Sequence, residues 1–206
     1  EGLLAMLHDE RIRIPFKLTA WNEATDGGVM RGTLNTIIGG TGAGKTLTML
    51  SLMIDYLELG FNCAYISLEL GANMIKPRYI ANVLDVPLSD LNNFKFSRMT
   101  DAEIVAKYNN PFRRSMGKST LKCSEPNSFN AKDIERYIIG FEKVNDIQID
   151  VVFIDHLSLM PTYGGFTDQT MASKYGQTQA EEAITLAKRL DLAVWTGAQF
   201  NRGSMN

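Results

Sequence analysis

Residues 39–46 read Gly39-Gly40-Thr41-Gly42-Ala43-Gly44-Lys45-Thr46, and the reading of this run decides the fold. It fits G-x-x-x-x-G-K-[ST], a loop whose glycines let the backbone turn successive N–H groups inward around a phosphate. Lys45 is placed to reach β- and γ-phosphates, and the hydroxyl of Thr46 to ligate Mg²⁺. So short a pattern also arises in ordinary glycine-rich turns, so its surroundings matter. Ahead of it Leu34, Thr36, Ile37 and Ile38 read as a buried strand; behind it Leu47, Leu50, Ile54 and Leu57 recur at helical spacing until Gly60. Strand, loop and helix in that order predict a nucleoside triphosphate site, to which the helix adds its positive N-terminal end.

At 206 residues and 45% hydrophobic content, the chain suits one globular domain with a sizeable core. A formal charge of −2 excludes a generally basic nucleic-acid coat and leaves contact with DNA or RNA to local patches. Cys63 and Cys123 are too few and too far apart for a disulfide scaffold or a metal knuckle, and read as reduced thiols. No apolar run approaches the roughly 18 residues of a membrane helix. The opening EGLLAMLHDE also lacks the basic segment and long apolar core of a signal peptide, so a cytoplasmic protein is expected. A start on Glu1 rather than Met and an end in NRGSMN lead us to expect a piece of a longer protein.

Residues 1–15, with the apolar patch Leu3 to Leu7, the charged stretch His8 to Arg13 and Pro15, read as an arm or linker ahead of a core at 16–206. Gly27 and Gly28 mark a turn. Cys63 to Leu68 is a strand ending at Glu69, which with the loop's own strand brackets a βαβ unit. A helix follows to Leu84, and Pro77 is expected near its start, where a missing N–H costs little. A short helical turn is expected within 88–94, and Thr100 with Glu103 forms a capping box for a helix that stops before Pro111. Thr120 to Cys123 is a weaker strand. Asn130 caps a helix whose apolar face is Ile134, Tyr137, Ile138, Phe141 and Val144. Ile149 to Ile154 is the clearest strand, Pro161 to Asp168 a loop, and a long helix to Leu190 turns Ala180, Ala183, Ile184, Ala187 and Leu190 inward. Ala193 to Ala198 is the last strand. Strands alternating with helices at this spacing predict an α/β fold, a mostly parallel sheet flanked by helices and joined by right-handed crossovers.

In such a sheet ligands gather at the carboxyl ends of the strands, so the polar residue closing each strand is the one to weigh. Asp155, after VVFI, reads as a carboxylate holding Mg²⁺ directly or through water opposite Thr46. The following residue, His156, reads as a structural neighbour rather than a base or ligand. Glu69 is then the economical base for a water attacking the γ-phosphate. Gln199 ends the last strand, where a neutral amide can sense the γ-phosphate, and Arg78 follows Glu69 on the next helix within reach of the nucleotide. Two segments suit nucleic acid: Pro161 to Gln179, with Tyr163, Phe166, Lys174 and Tyr175, and the stretch from Asn201. Arg113, Arg114, Lys118 and Lys122 form a basic patch that reads as a solvated helix end.

GGTGAGKT, YISLEL, VVFIDHLSLM and VWTGAQFNR, in that order and spacing, resemble the RecA-like P-loop motor of the DnaB-like replicative helicases, closest in flavour to their tailed-phage branch. The resemblance covers nearly the whole chain from Phe16. It implies an ATP hydrolase using ATP and Mg²⁺, working as a homohexameric ring on single-stranded DNA, with a primase and a helicase loader as partners, in the cytoplasm of a bacterium or phage-infected host. It assigns the loop from Gly39 to Thr46 to nucleotide, Glu69 to the base, Asp155 to metal, Gln199 to coupling, and Arg78 to an arginine after the catalytic glutamate. The loop after Met160 matches the first DNA-facing loop, and the arm a linker docking on a neighbouring subunit. His156 stands where the family more often has tyrosine, and the family's amino-terminal collar domain has no counterpart within residues 1–206. The family's second DNA loop and arginine finger lie beyond the position of Gln199, so no finger is assigned and this polypeptide alone is expected to bind nucleotide and hydrolyse it poorly. The same fold also admits a recombinase-type or clock-type ATPase, or a nucleotide-dependent assembly module with little turnover.

Overall fold

A computed structural model describes residues 13–89, 100, 102–103, 106, 116–162 and 172–199. In chain order the elements are β1 (Arg13–Ile14), α1 (Thr19–Ala24), β2 (Val29–Met30), β3 (Leu34–Gly39), α2 (Lys45–Glu58), β4 (Cys63–Ser67), α3 (Ala72–Leu84), β5 (Ser119–Cys123), α4 (Ala131–Asn145), β6 (Val151–Asp155), a 3-10 turn (Leu157–Leu159), α5 (Ala172–Leu190) and β7 (Ala193–Gln199). β4 and β6 are buried at every position, as strands covered on both faces of a parallel sheet must be. Five strands pair in the order β3-β7-β6-β4-β5, each pair parallel.

Alternation along each strand divides the core in two. Cys63, Tyr65, Val151, Phe153 and Trp195 face α2 and α3, where Met49, Met53, Tyr56, Leu57 and Ile75 meet them. Ala64, Ile66, Val152, Ile154 and Val194 face α4 and α5, and pack on Ile134, Ile138, Ala183, Leu186 and Ala187. The first layer also holds the amino-terminal segment. Ile14, Phe16 and Val29 belong to its buried cluster, and the Phe16 ring meets Trp21, Tyr56 and Trp195 at centroid distances of 5.1, 6.1 and 6.1 Å. Asn22 fixes that segment by accepting from the Phe16 N–H and donating to its carbonyl, both at 2.7 Å.

The strands and helices read from the sequence are present among the described residues, with four corrections. β3 and β4 are not neighbours, because β7 and β6 insert between them, so the βαβ pair skips two strands. Pro77 lies inside α3, as its sixth residue, where its missing N–H removes the bond to the Asn73 carbonyl rather than sparing an orphan donor. Val144 is 85% exposed: at 3.6 residues per turn it stands about 80° round the helix from Ile134, off the buried stripe. Lys122 is in β5 and Lys118 just before it, not at a helix end; the Lys118 ammonium donates to the Asn145 carbonyl at 3.0 Å and that of Lys122 lies 5.7 Å from the Phe129 ring centroid. The predicted capping box at Thr100 forms, and the predicted cap at Asn130 is itself a capping box. Thr100 exchanges bonds with Glu103, and Asn130 accepts from Lys132 and Asp133 while Asp133 reaches back to the Asn130 N–H. Leu3 to Leu7, Asp90 to Phe94, Pro111, Arg113, Arg114, Tyr163, Phe166, Phe200, Asn201, Arg202 and the side chain of Lys174 lie outside the described residues.

At the amino ends of the strands one carboxylate ties the sheet to its connections. Asp150 pairs with Arg31 and accepts from the Asn62 N–H at 2.7 Å, while Arg31 also donates to the Asp191 carbonyl at 2.8 Å. The two paired side chains are only 13% and 15% exposed, so neither regains full hydration if the other is removed. Arg31→Ala is expected to lower unfolding stability by about 2 kcal/mol, read as a shift of the urea midpoint at unchanged slope.

Candidate functional site

Because all five strands run the same way, their carboxyl ends share one edge, and the candidate residues were drawn from that edge. Register sets Gly39 beside Gln199 and Ser67 beside Asp155. A cavity of about 690 Å³ opens there, and Thr41, Gly42, Gly44, Lys45, Thr46, Glu69, Arg78, Asp155 and Gln199 all line it. Gly39, Gly40 and Ala43 belong to the same loop but do not themselves line the cavity.

The loop takes the shape its glycines permit. Gly42 and Gly44 have φ of +74° and +86°, a region that side chains with a Cβ rarely enter. Gly44 ends the loop and α2 begins at Lys45 with no side-chain cap, leaving its first-turn N–H groups for an anion. The Lys45 ammonium donates to the carbonyls of Gly39 and Gly40 at 3.0 and 2.9 Å, which holds the charge over the loop. Gln199 donates from its side-chain amide to the Thr41 hydroxyl, joining the end of β7 to the middle of the loop.

Asp155 is 2% exposed. One of its carboxylate oxygens, Oδ2, accepts from the Tyr65 hydroxyl at 2.8 Å, and its carbonyl accepts from the N–H groups of Leu68 and Glu69 at 2.7 and 3.3 Å. Burial, then the neighbouring Asp155 charge, pushes the Tyr65 phenol far above its ordinary value, so it remains a donor. The Glu69 carboxylate, anchored by that backbone contact, is exposed to the cavity. His156 Nε2 lies 3.8 Å from Glu69 Oε2, an ion pair only when the imidazole is protonated, and Nδ1 is bonded to the Ser158 hydroxyl at 2.6 Å. Thr196, buried, accepts from the Leu157 N–H at 3.0 Å and donates to the Ile154 carbonyl at 2.9 Å, locking the 3-10 turn after β6 onto β7. The Arg78 guanidinium lines the cavity and donates to the Met74 carbonyl. Of the residues proposed to meet DNA, Tyr175 is described, 3.5 Å from the Met160 carbonyl.

Tyr65, Thr196 and Ser158 carry this arrangement, and sequence reading did not single them out. Alternation within β4 put Tyr65 on the same face as its neighbours in that layer, but not opposite an acid 90 residues away. The donor set suits a nucleoside triphosphate with Mg²⁺. Uncapped helix N–H groups and an ammonium meet phosphates, and a hydroxyl with one carboxylate is what Mg²⁺ takes from protein when phosphates and water complete its shell. Accordingly, among the described residues no group of three or more His, Cys, Asp or Glu forms an all-protein metal cage.

Against known families the sequence matches the DnaB-like helicase C-terminal domain over residues 14–206. The chain belongs to this family. It is 27% identical over 190 residues to a DnaB-like replicative helicase of Enterobacteria phage T4, a match taking in 92% of this chain and 40% of that protein, so the chain spans well under half the length of this relative. In three dimensions the chain superposes on a DnaB-like replicative helicase, from a structure that describes its interactions with primase, with a TM-score of 0.76 at 15% identity over 98% of this chain and 49% of the other. It superposes on the ATPase domain of G40P with a TM-score of 0.75 at 15% identity, over 97% and 68%. At that identity the two superpositions establish the fold, that of RecA-like ATPase domains, and the sequence match establishes the family.

Thr196→Val keeps the shape of the side chain but leaves the buried Leu157 N–H without its acceptor. The expected cost is about 2 kcal/mol in chemical denaturation, with the loss concentrated in faster hydrogen exchange at Leu157.

Proposed function

We propose that this chain is the ATP-hydrolysing motor domain of a replicative DNA helicase that moves along single-stranded DNA as a homohexameric ring. The observation that carries the reading is the convergence of the phosphate loop, Glu69, Asp155 and Gln199 on one cavity at the carboxyl edge of the sheet. Lys45 and the N–H groups at the start of α2 bind the β- and γ-phosphates of ATP, and Arg78 closes on them from α3. Thr46 and Asp155 hold Mg²⁺, Asp155 directly or through water; when bound, the ion neutralises charge on the phosphate oxygens. Glu69 orients the attacking water and takes its proton on a carboxylate oxygen. Gln199 exchanges the Thr41 hydroxyl for the γ-phosphate and passes its presence to the segment after β7.

Family membership and the phage relative support this assignment. In the reading proposed here the part of the 1–15 arm ahead of Arg13 docks on a neighbouring subunit, the segment after Met160 faces DNA, and the assembled protein meets a primase and a loader in the cytoplasm of a bacterium or an infected host. No helix among the described residues is long and apolar enough to cross a membrane.

In the full-length protein, Lys45→Ala is expected to weaken ATP binding at least tenfold in equilibrium titration. Glu69→Gln should leave binding within about twofold while lowering the hydrolysis rate on single-stranded DNA by about 10²–10⁴. Turnover unaffected by Glu69→Gln would remove Glu69 from the chemistry, and hydrolysis indifferent to single-stranded DNA would remove the helicase reading.

A further inference from the structure

Tyr65 is a large polar side chain that reaches the candidate metal carboxylate from inside the core. Register pairs Tyr65 with Phe153, so Asp155, two residues further along β6, stands on the same face of the sheet, one diagonal step from the ring. The ring is fully buried and stacked on Phe153 at 5.9 Å between centroids with 17° between planes. Its hydroxyl therefore has a fixed address, 2.8 Å from Asp155 Oδ2.

A carboxylate on a single Cβ–Cγ bond turns easily, because the rotation of an aspartate head group is broad and two-fold. A bond from a rigid donor removes that freedom: it holds Oδ2 on the tyrosine and leaves Oδ1 as the oxygen to meet a cation in the cavity that Asp155 lines. We propose that Tyr65 is a positioning residue for the metal-facing carboxylate of Asp155, and that it sets how strongly Mg²⁺ couples to nucleotide binding. The proposal rests on the reading of Asp155 as the Mg²⁺ carboxylate. Partners of this kind behind a metal ligand change metal affinity by about 10–100-fold when removed. Tyr65→Phe is a clean probe, since it keeps the buried ring and its stack on Phe153 and deletes only the donor.

The test is the binding of a fluorescent ATP analogue to the protein, in EDTA and across a Mg²⁺ series, for wild type, Tyr65→Phe, Asp155→Asn and the double variant. With Tyr65→Phe the Mg²⁺ concentration that half-maximally tightens binding should rise about tenfold, while affinity in EDTA is unchanged. Asp155→Asn should raise it at least as far, and the double variant no further than Asp155→Asn alone, because Tyr65 acts through Asp155. A shift with Asp155→Asn but none with Tyr65→Phe overturns the proposal and leaves the reading of Asp155 intact. Additive shifts in the double variant overturn it too, as does a loss with Tyr65→Phe that is equal in EDTA and in Mg²⁺, which marks a purely structural ring. No shift with either single variant overturns the reading of Asp155, and the positioning role falls with it.

Discussion

A parallel sheet has to be covered on both faces, and the rest of this structure follows from meeting that demand. Helices α2 and α3 cover one face and α4 and α5 the other, so β4 and β6 are buried along their whole length and mostly apolar, and little polar chemistry can sit between layers. Polar side chains are thereby driven to the two ends of the strands. At the amino ends Asp150 gathers Arg31 and the Asn62 N–H into a closed arrangement facing connections rather than solvent. At the carboxyl ends the groups stay open to a cavity. β6 is thus preceded by an acid, Asp150, satisfied by the protein, and ends in another, Asp155, whose Oδ2 is bonded to Tyr65 and which lines the cavity.

At the open edge some of the bonds link strands rather than neighbours in sequence. The Asp155 carbonyl takes the N–H of Leu68 and of Glu69, so the acid that ends β6 also fixes where the chain leaves β4. Thr196 performs the same service between β7 and the turn that follows β6. Each of these groups is buried or half-buried and partnered, which is the condition for polar atoms to persist there without a large desolvation cost. The rigidity is local: Glu69 and Gln199, the two ends proposed to act on the γ-phosphate, remain exposed.

What could be read from the sequence is what is encoded within about twenty residues. The phosphate loop, the strand before it, the helix after it, the capping box at Thr100 and the cap at Asn130 depend on neighbours close in sequence, and each is where the residues put it. Candidate residues at strand ends were legible for a related reason, since a parallel sheet turns the last polar residue of every strand toward one edge. The pairing order was not legible: that β7 and β6 part β3 from β4 depends on pairings between strands far apart in the chain, such as Leu34 with Val194 and Cys63 with Val151. For the same reason Tyr65 was hidden, because its meaning comes from the register of β4 against β6. Val144 failed differently. Its residue type and its spacing of seven from Tyr137 matched the stripe, but ten residues on from Ile134 it stands about 80° round the helix, which leaves it in water.

The pairing of β3 with β7 has a geometric consequence for the last residue of the sheet. Six successive pairs run from Leu34 against Val194 to Gly39 against Gln199, and Gly197 brings the Lys45 and Met49 side chains close over the strand. The position of the glutamine is therefore measured out along the whole ladder, as by a ruler with its zero at the far end of the sheet. A slip of one residue would turn its amide to the opposite face, and a slip of two would carry it some 7 Å along the strand, beyond Thr41. The contact between loop and strand end is thus an inherited distance, kept by core packing rather than by the two residues that make it.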